Sequence, residues 1–213
     1  MLKRNKGKLI ASSIIILLPI LVGLILWKDL PEEMVTQWGF NGAANGWSSK
    51  PFAVFAIPFL MLAVHWICIA ATALDPKNKN QSQKAMGLIF WILPFTSLFA
   101  SAMIYANAFD RNFGRDTIFT VALGLLFAVI GNLLPKCKRN RTIGIRVKWT
   151  LADDENWNAT HRFGGKVWFI GGLIVALCGL LPGAAIYYAA FTAIIILAIL
   201  PVIYSYLYHR KHG

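Results

Sequence analysis

Charge is scarce in this sequence. Of 213 residues only 14% are Asp, Glu, Lys or Arg, against about 25% in a soluble domain, while 57% are apolar and the mean hydropathy is +0.59. Too few polar side chains exist to clothe a globule of this size, which excludes a disordered chain and argues against a water-soluble two-layer enzyme. Cysteine is equally thin. Cys68, Cys137 and Cys178 form no Cys-x-x-Cys pair, so neither a disulfide framework nor a zinc site is expected. Gly-x-Ser-x-Gly, His-Glu-x-x-His, Walker A and dinucleotide fingerprints are all missing, and with them the usual nucleophile, metal and phosphate chemistry. The expectation is a protein that is not an enzyme, with no metal and no cofactor.

What the chain does have is long uncharged runs. A spanning helix needs roughly 20 apolar residues, and six runs qualify: Leu9–Trp27, Pro51–Leu74, Ala85–Phe109, Thr117–Leu134, Val167–Ala185 and Ile186–Tyr208. The last two are divided at the turn signal Leu181-Pro182-Gly183. Every Asp, Glu, Lys and Arg falls outside these limits, as the cost of a charge at the bilayer centre requires. The fold class expected is therefore all-α, a polytopic integral membrane protein with six transmembrane helices.

Basic residues orient it. The N-terminus, the second and fourth loops and the C-terminus carry seventeen Lys and Arg, whereas Lys28, Lys50, Arg111 and Arg115 are the four on the other side. The positive-inside rule then puts both termini in the cytoplasm. The net charge of +12 lies beside apolar segments, so the partner it implies is an anionic lipid bilayer rather than nucleic acid. The first run contains Pro19 and leads into Trp27-Lys28-Asp29 instead of a small-x-small site, so it reads as an uncleaved span. Three regions follow: residues 1–74 with an outer loop at 28–50, residues 75–134, and residues 135–213 with an inner loop at 135–166.

Within the spans His65 is the only ionisable candidate, either a proton relay or a hydrogen-bond partner of a neighbouring helix. Prolines 19, 58, 94 and 201 each remove an amide donor. Gly179-x-x-x-Gly183 and the ladder Ala185, Ala189, Ala193 would let helices approach closely.

The outer loop combines Asp29, Glu32 and Glu33 with Trp38, Phe40 and Trp47, and its glycines 39, 42 and 46 suit a compact structure. An acidic, aromatic surface fits a cationic amphipathic peptide. Tryptophans anchored in the interface with solvated acids would look the same. In the inner loop Thr150-Leu-Ala-Asp153 has capping-box character, which predicts a helix with Thr150 as N-cap and Trp157 and His161 on one face. That helix could lie on headgroups or dock another protein. His161 and Glu155 are about 240 degrees apart on a helix, too far round for catalysis.

These loops carry a resemblance. Leu30-Pro31-Glu32, Gln37-Trp38, Gly46-Trp47 and Ser49-Lys50-Pro51 look like the N-terminal domain of the SdpI family of membrane immunity proteins. A more specific match runs through Asn132, Pro135, Asn140, Gly144, Arg146, Trp149, Thr150, Trp157, Thr160, His161 and Arg162. Where the family commonly has Thr-Pro, this chain has Val147-Lys148, and Gln37 replaces a frequent histidine.

The resemblance implies resistance to a secreted membrane-active peptide toxin in the bacterial cytoplasmic membrane. Glu32, Gln37, Trp38 and Trp47 become the expected toxin-binding residues. It also implies, for closer relatives, that the inner signature docks a cytoplasmic transcriptional repressor. The competing class is a transporter or flippase for a small molecule, lipid or peptide, working through the proline-kinked helices.

Overall fold

The computed structural model describes residues 5–39, 41–109, 115–183 and 185–212. Phe40, Arg111 and two of the N-terminal basic residues counted above, Lys3 and Arg4, lie outside them. The chain forms two compact units, Met1–Leu74 with Gly87–Arg115, and Asp75–Met86 with Asp116–Gly213.

The first unit contains α1 (Lys6–Ile25), the strands β1 (Glu33–Trp38) and β2 (Ala44–Ser49), α2 (Phe52–Leu74) and most of α3 (Gln83–Ala108). Helix α2 opens with a π turn over Phe52–Ala56, in which the Ile57 amide reaches the Phe52 carbonyl. The wider turn sits where Pro51 and Pro58 bracket the helix start, and Pro58 has no amide to continue the regular ladder. Leu30, Met34, Ala53, Val54, Ile104 and Tyr105 form the core beneath the strands. At Gly23 a side chain would run into Val54 and the Tyr105 hydroxyl, which itself donates to the Pro19 carbonyl at 2.9 Å. Ser97 of α3 likewise donates to Ile16 of α1 at 2.9 Å.

The second unit holds the start of α3, then α4 (Arg115–Leu133), the five-residue α5 (Lys148–Ala152), α6 (Asp154–Cys178) and α7 (Ala185–His212). In hydrocarbon a helix gains nothing by hiding an apolar face from lipid, so contact depends on close packing and hydrogen bonds. Both are present. Gly124 and Gly131 of α4 meet Gly172 and Gly165 of α6 so closely that a Cβ at any of them would overlap atoms of the facing segment. The seven-residue spacing keeps these glycines on one seam. Against α7, the Trp168 indole donates to the Leu197 carbonyl at 2.8 Å. That carbonyl lies four residues before Pro201, which has no amide to offer it.

Among the described residues five helices are long and apolar enough to cross a membrane: Lys6–Ile25, Phe52–Leu74, Gln83–Ala108, Asp116–Lys136 and Ala185–His212. The expected fifth run, Val167–Ala185, is not among them, and its bounds differ. Its helix α6 starts at Asp154, carries Arg162 and Lys166, and stops at Cys178, so its uncharged part is residues 167–178, about 18 Å at 1.5 Å per residue. The division after it stands, with Gly183 in the left-handed region at φ 56°.

Two further expectations change. Of the small-residue motif Gly179-x-x-x-Gly183 only Gly179 packs closely, where a Cβ would meet Val121 and the Thr117 carbonyl of α4, whereas nothing lies within 4 Å of a Cβ at Gly183. In α7, Ala185 is exposed and the buried stripe is Ile186, Ala190, Leu197, Pro201 and Ser205. The chain is mostly helical, yet the outer loop is a β-hairpin.

Candidate functional sites: a hairpin and a signature loop

In the hairpin β1 and β2 pair antiparallel, with Glu33 opposite Ser49, Met34 opposite Ser48 and Val35 opposite Trp47, and the register shifts after Val35. Gly42, at φ 75°, makes the turn that only glycine adopts without strain, and the Gly39 amide closes it on the Ala43 carbonyl at 2.8 Å. Alternation then sorts the side chains. Met34 is buried and Trp38 packs against the core, while Glu33, Gln37, Asn45, Trp47 and Ser49 are exposed. The four expected toxin-binding residues therefore separate. Glu32, Gln37 and Trp47 are exposed, Trp47 at 58%, and Trp38 faces the core.

At the foot of the hairpin Lys50 is buried. Its ammonium lies 2.8 Å from Glu32 Oε1, donates to the Trp27 carbonyl at 3.2 Å and sits 5.2 Å from the centre of the Trp27 ring. Read in the sequence as a charge and within the Ser49-Lys50-Pro51 match, Lys50 ties Glu32 to the main chain at Trp27, just after α1. Nearby, Leu24, Ile25, Trp27, Lys28 and Phe55 line an open cleft of about 600 Å³. Deeper in the unit, Ser12 Oγ lies 3.0 Å from the Leu9 carbonyl and 2.8 Å from His65 Nε2, a hydrogen bond that joins α1 to α2. Helix–helix bonding is thus one role His65 has.

The signature loop is knotted by its own polar side chains. Asn140 Oδ1 accepts from the amides of Thr142 (2.7 Å) and Ile143 (2.6 Å), while its Nδ2 donates to the carbonyls of Lys138 (2.7 Å) and Ile143 (3.0 Å). Trp157, fully buried, donates to the Cys137 carbonyl at 2.8 Å and stacks on His161 with centroids 4.0 Å apart. His161 Nδ1–H donates to the Trp157 carbonyl (2.8 Å) and Nε2 accepts from the Ile145 amide (3.0 Å). These bonds require the neutral ring. Gly144, at φ 110°, lies against that nitrogen so closely that a Cβ would overlap it. Thr160 and Ser205 both donate to Asn156 Oδ1 at 2.9 Å, and Asn156 returns a bond to the Ser205 carbonyl at 3.0 Å, locking α6 to α7.

The expected N-cap is displaced by three residues. Thr150 lies within α5, where its hydroxyl accepts from the Val147 amide at 3.0 Å and is turned to the carbonyls of Ile145 and Val147. The cap of α6 is Asp153, whose two oxygens accept from Glu155 and Asn156 at 2.9 Å each. Those amides, Asn156 first, hold its carboxyl below the usual range. Asp153→Ala is expected to cost about 1 kcal/mol, read as a lower melting temperature of the detergent-solubilised protein.

Burial pushes the His161 ring down to about 4 from 6.5, against the smaller opposing effect of the Trp157 carbonyl. Its neutral form therefore contributes full stability above pH 6.5, and that contribution, about 3 kcal/mol, is lost as the pH falls from 6.5 to 4. Unfolding measured across that window should weaken steadily in the intact protein, and the slope should diminish in His161→Phe. Burial likewise raises the Cys137 thiol to about 11, leaving it a small apolar group.

The remaining signature residues are more open. Asn132, Pro135, Arg146 and Arg162 are exposed; Asn132 accepts from Lys136 at 3.4 Å and Arg146 donates to the Arg141 carbonyl at 2.6 Å. Trp149 is half-buried, stacked 6.2 Å from His209 and tilted 5.5 Å from Tyr206. Of the eleven residues, Asn140, Thr150, Trp157, Thr160 and His161 are thus tied up inside the unit.

The SdpI/YfhL protein family model matches residues 136–207, and a domain of unknown function, DUF1648, matches residues 14–62. Over 209 residues the chain is 29% identical to Immunity protein SdpI of Bacillus subtilis (strain 168), covering 96% of this chain and 97% of that one. The chain is therefore similar to the SdpI/YfhL protein family in its last third and to an immunity protein over nearly its whole length. No solved structure matches it. Both strands of the hairpin and Lys50 lie inside the DUF1648 match, and the knotted loop with α6 and most of α7 lies inside the SdpI match. The Asn156–Ser205 link and the Trp168 bond escaped the sequence reading. Both involve a polar group whose partner is a helix away, and only Pro201 gave a local hint.

Proposed function

We propose that this protein protects a bacterial cell against a secreted membrane-active peptide toxin, which it engages at the exposed face of the hairpin. The observation that carries this reading is the near end-to-end likeness to an immunity protein, which includes the hairpin and the signature loop alike. That relative is named for immunity and not for an enzymatic activity.

In this reading the protein sits in the cytoplasmic membrane with six crossings, the uncharged half of α6 at 167–178 completing the sixth, and with both termini inside, as seventeen basic residues against four favour. The exposed bases of the inner loop then meet anionic headgroups. Exposed Trp47 and Glu33 offer the toxin an aromatic surface and an acid, while Trp38 holds the hairpin to its core. A second role, holding a cytoplasmic repressor, is favoured by exposed Arg146 and Arg162, which stand clear of the bonds that bury their signature neighbours.

The test is survival and membrane potential of toxin-sensitive cells given an Sdp-type peptide. Cells expressing the intact protein should keep their potential, and Trp47→Ala at equal abundance should lose protection by about tenfold or more. Unchanged protection by Trp47→Ala would remove the hairpin face from the mechanism, and killing of cells carrying the intact protein would remove immunity to that toxin.

A further inference from the structure

A two-stranded sheet has two edges, and each presents main-chain donors and acceptors to whatever lies beside it. Their positions here follow from one bond. The Lys50 amide donates to the Glu32 carbonyl at 2.8 Å, so Glu32/Lys50 is a hydrogen-bonded pair. By the alternation of antiparallel ladders Met34/Ser48 is the next. The intervening residues, Glu33 and Val35 on β1, Trp47 and Ser49 on β2, then direct their N–H and C=O groups away from the hairpin.

The two edges are not equivalent. Strand β2 runs on into the π turn at Phe52–Ala56 and packs against it. Among the described residues no other element bonds to the outward main-chain groups of Glu33 and Val35. The devices that blunt an edge, a proline or an outward lysine, are absent from Glu33–Trp38; only the shift after Val35 limits it. Beside this edge the side chains supply a sequence of their own. Glu33 is exposed and has no ion-pair partner among the described residues, and Val35 stands opposite exposed Trp47. The edge thus shows, in order, an acid and an apolar-aromatic step.

We propose that the toxin binds by strand addition. An extended segment of a cationic amphipathic peptide pairs with the free edge of β1 through the main-chain groups of Glu33 and Val35, a basic side chain beside Glu33 and an apolar one against Val35 and Trp47. This rests on the immunity reading above and specifies its recognition step. Main-chain pairing explains how a surface of few charges can hold a peptide, since bonds to N–H and C=O do not depend on the peptide's sequence.

Strand pairing has a period of two, and the test uses that. An Sdp-type peptide is compared, in binding to the full-length protein in lipid nanodiscs, with two synthetic versions N-methylated at alternate residues, one version for each parity. Methylation on the parity that faces the edge should weaken binding by about tenfold or more, and the other parity should bind like the unmodified peptide. On the protein side, Val35→Pro deletes an outward N–H at an edge position where proline is tolerated. It should lose binding, while Glu33→Gln, which keeps the main chain, should lose only the charge-dependent part. If Val35→Pro fails to fold, the two methylated peptides still decide. Equal binding by both, or equal loss by both, overturns strand addition and leaves immunity standing. No binding of the unmodified peptide to the intact protein overturns both.

Discussion

Gly172→Leu is expected to strip the protein from the membrane fraction, whereas Gly87→Leu should leave its abundance unchanged. At Gly172 a Cβ would meet the Ala128 amide and the Gly124 carbonyl, both main-chain atoms that no rotamer change can move aside. Helices α4 and α6 would have to separate, and with no hydrophobic gain to hold them together in lipid the lost van der Waals contact is not recovered. The cost is about 3 kcal/mol or more, at the upper end for overpacking, a large share of the total stability of an ordinary domain. At Gly87 nothing lies within 4 Å, so the same side chain finds open space. Fluorescence-detected size exclusion of the two tagged variants is the measurement. Equal monodisperse peaks would mean that α4 and α6 do not meet on this seam.

The second large effect belongs to Trp157. Replacing it by alanine empties a fully buried indole site, leaves the Cys137 carbonyl without its donor and removes the ring on which His161 stacks. The expected loss is about 3–5 kcal/mol, and Trp157→Phe, which keeps the stack but not the bond, should lose about 1–3 kcal/mol. The change also has a local reporter. Cys137 is buried beside Trp157, with its thiol raised to about 11. In a background of Cys68→Ser and Cys178→Ser it should resist maleimide in the intact protein and react readily in Trp157→Ala. Equal labelling in both would mean that Trp157 does not seal the loop.

Most of the architecture was legible because hydrocarbon imposes a length and a polarity that a sequence displays directly. Five of the six apolar runs are helices whose ends fall within a few residues of the run limits. The fifth run misled because hydropathy registers only the apolar part of a helix, and the polar first half of α6 is buried by partners from α7 and from the loop before it. Its start was ambiguous for a local reason. Thr150 and Asp153 both suit an N-cap, and the choice depended on the Val147 amide occupying the threonine.

The hairpin was legible as a compact loop but not as strands. Gly42 marks the turn, yet Ala44-Asn45-Gly46-Trp47-Ser48-Ser49 has little β preference and is held by Met34 and Trp38 across from it. At the candidate sites the residue types were visible and their division was not. That Trp47 is exposed while Trp38 is packed, and that His161 is bonded at both nitrogens while Arg162 beside it is free to meet solvent, are facts of tertiary packing.

The bond from Trp168 to the Leu197 carbonyl carries a consequence for how this chain could diverge. Pro201 creates the vacancy and the indole fills it, so neither residue has a fixed value by itself. An ancestor that exchanged Pro201 for alanine would regain the ordinary helical bond and release Trp168 to drift, while one that lost Trp168 first would carry an unanswered carbonyl into lipid. Of the two orders of change only the first is open, and descendants should therefore keep the pair, lack the pair, or retain the tryptophan alone, but not the proline alone.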